Sequence, residues 1–177
     1  FGWEARRVDG NSIKELQKGL AEQRENHAKA QATFDECEHK ITAFQQEGAN
    51  LKTALDTLEA AKQSMASGEY DLAMDLISQS SDTADNVHKS YVEAKKSIEE
   101  ALCLIENLTE IDVDTLALTE ESTKVYDHID QGDYSTAIEK AYELRDQAER
   151  LRIEHYETRL KELKGKMATE KAKKEDV

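Results

Sequence analysis

The sharpest chemistry-bearing spacing in the chain is Glu36-Cys37-Glu38-His39, with Asp85-Asn86-Val87-His88 as its counterpart. A carboxylate and an imidazole three residues apart share one helical face, the arrangement that holds iron or manganese inside four-helix bundles. Direction argues against a site. With Cys37 and Val87 on the inward stripe of their helices, Glu36, His39 and His88 turn outward, and no two further inward Glu residues complete a ligand set. The lysine-free acidic run Glu106, Glu110, Asp112, Asp114, Glu120 and Glu121 lacks the alternating oxygen ligands and turn glycine of a calcium loop, and reads as helix caps and dipole acids. There is no phosphate loop, no nucleophile elbow and no Cys/His dyad. His128 and His155 stand isolated, and Tyr70 and Tyr134 read as turn packing. The residues therefore predict no catalytic group, no metal and no cofactor.

The elements that would position these residues are helices. The chain has no proline in 177 residues, 6% aromatic residues and 35% charged residues, a composition of long helices. Ile13, Leu16, Leu20, Phe34, Cys37, Ile41, Phe44, Leu51, Leu55, Leu58 and Met65 keep alternating three- and four-residue steps, one stripe facing one partner. Asn11 and Ser12 before Ile13, with Glu15 following, read as a capping box. The register carries through Gly48, so the spacing predicts one helix of roughly 55 residues with a weak spot at Gly48-Ala49-Asn50. Gln23, His27 and Ala30 loosen the seam near its start.

A turn at 66–69 follows, and a second helix runs from about Tyr70 to about Leu108 through Ala73, Ile77, Ala84, Val87, Tyr91, Ala94, Ile98, Ala101 and Ile105. Ala101-Leu102-Cys103-Leu104-Ile105 is apolar nearly all round, which predicts that further helices gather there. Asp112 or Asp114 is placed to cap a third helix from Leu116 to Gln131. Gly132 ends it. The fourth helix starts at Asp133 or Tyr134, and its stripe shifts after Leu151 to Ile153, Tyr156, Leu160, Leu163 and Met167, a change of neighbours along one helix.

There is an internal repeat. Gly68-Glu69-Tyr70-Asp71-Leu72-Ala73-Met74 matches Gly132-Asp133-Tyr134-Ser135-Thr136-Ala137-Ile138, and Ala84 and Val87 match Ala148 and Leu151 at the same offset. Glycine closes one helix, the acid caps the next, Tyr covers the turn and Ala lets backbones approach, so Gly68, Tyr70, Gly132 and Tyr134 are the structural turn residues. These segments resemble the inter-helix turn of tetratricopeptide repeats and of helical hairpins common in archaeal coiled-coil proteins. The resemblance covers the two turns and about two helical turns on each side. The spacing of 64 residues departs from the family's period of about 34, and the Trp-Leu-Gly pattern and closing proline are absent, so no peptide-groove residue carries over.

The formal net charge of −14 excludes a duplex-DNA or anionic-membrane face over most of the surface, so no nucleic acid is expected. Lys161, Lys164, Lys166, Lys171, Lys173 and Lys174 reverse the sign locally and read as cations near the negative pole of a helix. Two cysteines, Cys37 and Cys103, point to a reducing compartment and read as small buried hydrophobes, with Cys103 turned off the seam and no bond between them. No stretch is long and apolar enough to span a bilayer, and a cytoplasmic location is expected. Phe1 and Trp3 before Arg6 and Arg7 read as a local cluster, or as the exit of a membrane helix outside this chain.

At about 1.5 Å per residue the four helices measure roughly 80, 58, 25 and 58 Å. The expected fold is all-α: an elongated antiparallel coiled-coil hairpin with a short four-helix bundle section and both termini at one end. Residues 1–11 form an N-terminal segment, 12–109 the long hairpin, 110–172 a second hairpin turning at 131–133, and 173–177 a tail. The expected function is a non-enzymatic scaffold or spacer for protein–protein interaction, a second copy included among the partners. It suits the stalk of a larger or membrane-attached protein. The rivals are a tetratricopeptide-like peptide-binding module and a metal-binding helical bundle.

Overall fold

Gly48 decides the path of the chain. In the computed structural model, which describes residues 10–175 and the side chains of 12–171, Gly48 takes a left-handed φ of 106° and the first helix stops. Its N–H bonds to Gln45 O at 3.0 Å and the next, Ala49 N–H, to Phe44 O at 3.1 Å. This pair is the Schellman closure, which satisfies two carbonyls that a helix end would otherwise leave bare. The helices are therefore α1 (Gly10–Gln46), α2 (Lys52–Ala66), α3 (Tyr70–Glu110), α4 (Leu116–Gln131) and α5 (Tyr134–Glu175), and no strand occurs among the described residues.

The single long first helix expected from the unbroken register is thus corrected. Gly48 holds a seam position, but its αL geometry reverses the chain there. Beyond the break the buried line is Leu51, Ala54, Leu58, Ala61 and Met65, with Leu55 only half-buried. The helix start also differs: α1 is already formed at Gly10, so Ser12 and Glu15 lie inside it and not at its cap. Phe1, Trp3, Arg6 and Arg7, and the side chains of Lys173 and Lys174, lie outside the described residues.

The same closure recurs at every later turn. Gly68 (φ 77°) bonds to Met65 O and Glu69 to Ser64 O; Asp112 (φ 62°) to Thr109 O and Val113 to Leu108 O; Gly132 (φ 81°) to Ile129 O and Asp133 to His128 O. Asp112 is therefore the C-terminal residue of the α3 closure, not a cap for α4. The α4 N-cap is Thr115, and Asp114 supports it by accepting a bond from Leu116 N–H at 3.1 Å.

The chain divides into two compact units, Phe1–His88 and Lys89–Val177. In the first, His27 meets Tyr70, Cys37 meets Ser80, Lys40 meets Asp85 and Glu47 meets His88. Residue numbers rise together on both sides, so α1 and the first half of α3 run parallel, with α2 as the return helix between them. The antiparallel pairing of these two segments is corrected accordingly. In the second unit Tyr91 meets Tyr134 and Glu100 meets Arg145, so the second half of α3 and α5 are parallel, with α4 returning between them.

Each unit is the same motif, 64 residues apart. Ala30, Phe34, Cys37 and Ile41 on the first helix correspond to Ala94, Ile98, Ala101 and Ile105, all buried. On the second helix Ala54, Leu58, Ala61 and Met65 correspond to Leu118, Ser122, Val125 and Ile129; on the third, Ala73, Ile77, Ser80 and Ala84 correspond to Ala137, Ala141, Leu144 and Ala148. Leu58 with Ser80 in one unit becomes Ser122 with Leu144 in the other, so a large and a small side chain exchange helices and the core volume is kept. Gly48 corresponds to Asp112 and Gly68 to Gly132.

Candidate functional site

The expected turn residues build matching corners. At the Gly132 corner Asp133 Oδ1 accepts from Thr136 N–H at 3.3 Å, the N-cap geometry. These hydrogen bonds to Thr136, with a smaller contribution from the nearby His128, hold the Asp133 carboxyl below its usual range. His128 Nδ1 lies 3.7 Å from Asp133 Oδ2, which places a carboxylate at the positive pole of α5 and an imidazole at the negative pole of α4. Tyr134 is buried and its ring meets Tyr91 edge-on at 5.7 Å. At the equivalent corner Tyr70 is half-buried and meets His27 edge-on at the same 5.7 Å. Ala73 and Ala137 are fully buried, and their N–H groups bond to Glu69 O and Asp133 O at 3.0 Å. The Gly68 and Gly132 corners are one device used twice.

The Glu/His pairs are dispersed. His39 is exposed and its Nδ1 lies 2.7 Å from Asp35 O. Asp85 takes Lys40 Nζ on both oxygens at 2.8 and 2.7 Å, while the same ammonium donates to Ser81 Oγ at 2.8 Å. His88, expected to face outward, is only 21% exposed; it stacks flat on Phe44 with centroids 3.8 Å apart and gives its Nε2 to Glu47 Oε2 at 2.7 Å. Among the described residues no group of three or more His, Cys, Asp or Glu side chains is placed to hold a metal ion.

Cys37 is buried and Cys103 exposed, so the expectation that both are buried fails for Cys103. It occupies the outward side of α3 between Ala101 and Ile105; Leu102 and Leu104 are half-buried, and the apolar segment is covered on part of its circumference only. Around Cys37 the first unit ties three helices together. Its Sγ lies 3.8 Å from both Ile77 O and Ser80 Oγ, and Ser80 Oγ donates to Ala54 O at 2.7 Å. Burial pushes the Cys37 thiol up, which keeps it protonated and unreactive. Ser80 was not singled out by sequence reasoning, although it occupies the step between Ile77 and Ala84.

Two apolar rows are left open. Ile13, Leu16 and Leu20 on α1, and Ile153, Tyr156, Leu160, Leu163 and Met167 on α5, are all exposed, Leu16 at 65% and Met167 at 70%. The α5 row lies roughly 100° around the helix from the buried Ala137–Ala148 line, counting 3.6 residues per turn, which is the register shift read from the sequence. Among the described residues no helix is long and apolar enough to cross a membrane. No protein-family model, no curated protein and no solved structure matches the chain.

Proposed function

We propose that the chain is a non-enzymatic helical scaffold or spacer that acts through protein–protein interaction. The observation that carries this reading is the pair of open heptad rows on α1 and α5, apolar lines whose a/d spacing matches that of the buried lines. A strict two-per-heptad stripe suits a partner helix better than a lipid surface, which needs a wider apolar face. The reading includes an elongated body. Helix α5 has 42 residues, about 60 Å at 1.5 Å per residue, against a diameter of roughly 40 Å for a compact sphere of this chain length.

The rival is the peptide-binding module, in whose favour stands the tight corner at Gly132, Tyr134 and Ala137, the segment that resembles a tetratricopeptide turn. Small-angle X-ray scattering separates the two. The spacer reading requires a radius of gyration well above the compact value of about 16 Å; a value at that level would replace the spacer with the compact module.

A further inference from the structure

Helix α3 performs two roles in sequence: Ile77, Ser80, Ala84 and Val87 form the third-helix line of the first unit, and Tyr91, Ala94, Ile98, Ala101 and Ile105 form the first-helix line of the second. Helix α1 carries the same succession one period earlier. Its first-helix line is His27, Ala30, Phe34, Cys37 and Ile41, and ahead of it, in the third-helix positions, stand Ile13, Leu16, Leu20 and Gln23. In both complete units the third-helix line is covered by the two helices that precede it: Ile77, Ser80 and Ala84, and their equivalents Ala141, Leu144 and Ala148, are buried, with Val87 and Leu151 half-buried. Here the equivalent side chains are exposed, although they are larger than Ser80 and Ala84.

We propose that the start of α1 is the third helix of one more repeat, and that its Ile13–Leu16–Leu20 face receives a helical hairpin carrying the repeat's own first- and second-helix lines. The argument is continuity with an interface formed twice in this molecule. A second copy of the chain is a poor occupant, because its hairpins already cover their own third helices. The pattern also discriminates between the ends of the described chain. The first-helix positions that would follow on α5 are His155, Thr158, Glu162, Gly165 and Thr169, which cannot make a core, so the repeat does not continue there. The flanks of the α1 face, Ser12, Gln17, Gly19 and Arg24, carry little charge, so the contact is apolar and insensitive to salt. This inference deepens the scaffold reading by naming a partner class for one of its open rows; its failure would leave the α5 row and the spacer reading in place.

Two measurements on the full chain test it. In the first, a labelled synthetic peptide of residues 92–133 with Cys103→Ser is titrated with the chain by fluorescence anisotropy. Saturable binding is expected, weakened at least about tenfold by Leu16→Glu and unchanged by Leu160→Glu. In the second, residues 28–73 are fused directly ahead of Gly10, which keeps the repeat in register, and backbone hydrogen exchange is followed. Residues 13–24 should slow by about a hundredfold or more relative to the unfused chain, and Leu16→Glu should abolish the gain. Exchange as fast in the fusion as in the parent would overturn the proposal, as would peptide binding indifferent to Leu16→Glu. A dimer of the parent chain that Leu16→Glu dissolves would assign the face to a second copy instead.

Discussion

Tyr134 meets Tyr91 edge-on with ring centroids 5.7 Å apart, and 64 residues earlier Tyr70 meets His27 at the same distance. This shared contact fixes where the third helix of each unit begins beside the first. It also explains the unequal burial of the two tyrosines. Tyr91 is a large apolar partner that encloses Tyr134, whereas His27 leaves Tyr70 half-open.

The four turn closures predict opposite effects of two substitutions. A Cβ at Gly68 would meet nothing within 4 Å, so Gly68→Ala carries only the conformational penalty of a left-handed residue, about 1–2 kcal/mol. Asp112 already bears a related strain at φ 62°, and Asp112→Gly should stabilise by up to about 1 kcal/mol. Urea unfolding of both variants checks the pair. A loss of stability in Asp112→Gly would mean that the Asp112 side chain contributes more than its backbone costs.

Burial separates residues that look alike in the heptad pattern. Ile98 is fully buried, and Ile98→Ala should cost about 2–5 kcal/mol. Leu16 is 65% exposed, and Leu16→Ala should change stability by less than about 0.5 kcal/mol. Chemical denaturation of the chain alone gives both values, and equal losses would show that the α1 row is covered.

Acid should weaken the Gly132 corner. The folded Asp133 carboxyl titrates below its ordinary value of 3.8 because the ionised form accepts the Thr136 hydrogen bonds. Its contribution is therefore complete above the unfolded pKa and disappears as pH falls through the lower folded value. The melting temperature of Asp133→Asn, followed from pH 5 downward, should fall less steeply than that of the parent; parallel curves would remove Asp133 from the acid response.

The two thiols should react at very different rates. Cys103 is exposed, while Cys37 is buried with its pKa raised. A thiol reagent at neutral pH should label Cys103 quickly and Cys37 only on opening of the first unit. In Cys103→Ser the fast phase should vanish, and a remaining fast phase would place Cys37 at the surface.

The helical class, the turns at Gly68 and Gly132 and the shift of stripe after Leu151 were legible because each is a local pattern of spacing and glycine placement. The turn at Gly48 was hidden by the heptad register, which runs through a glycine without revealing its φ. The connection ahead of Leu116 was legible, but the left-handed closure at Asp112 was hidden by residue type, since an acid there reads equally well as a cap. With Gly48 concealed, the separate helix α2 of the first unit went unrecognised, so the 64-residue repeat read at the Gly68 and Gly132 turns was not extended to two matching three-helix units. Core exchanges such as Leu58 with Ser122 and Ser80 with Leu144 erase residue identity while conserving volume. The His88 contacts to Phe44 and Glu47 depend on the parallel placement of α1 and α3, which no local pattern in either helix reports.

That parallel placement is the point on which the repeat rests, and one distance tests it. Spin labels at the exposed positions Asn26 and Asp71, in a Cys103→Ser background, sit at the starts of neighbouring parallel stretches. Packed helices lie about 8–10 Å apart, so a label separation below roughly 25 Å is expected. An unbroken first helix folded back only at Gly68 would hold the same labels roughly 60 Å apart at 1.5 Å per residue, and that result would contradict the account.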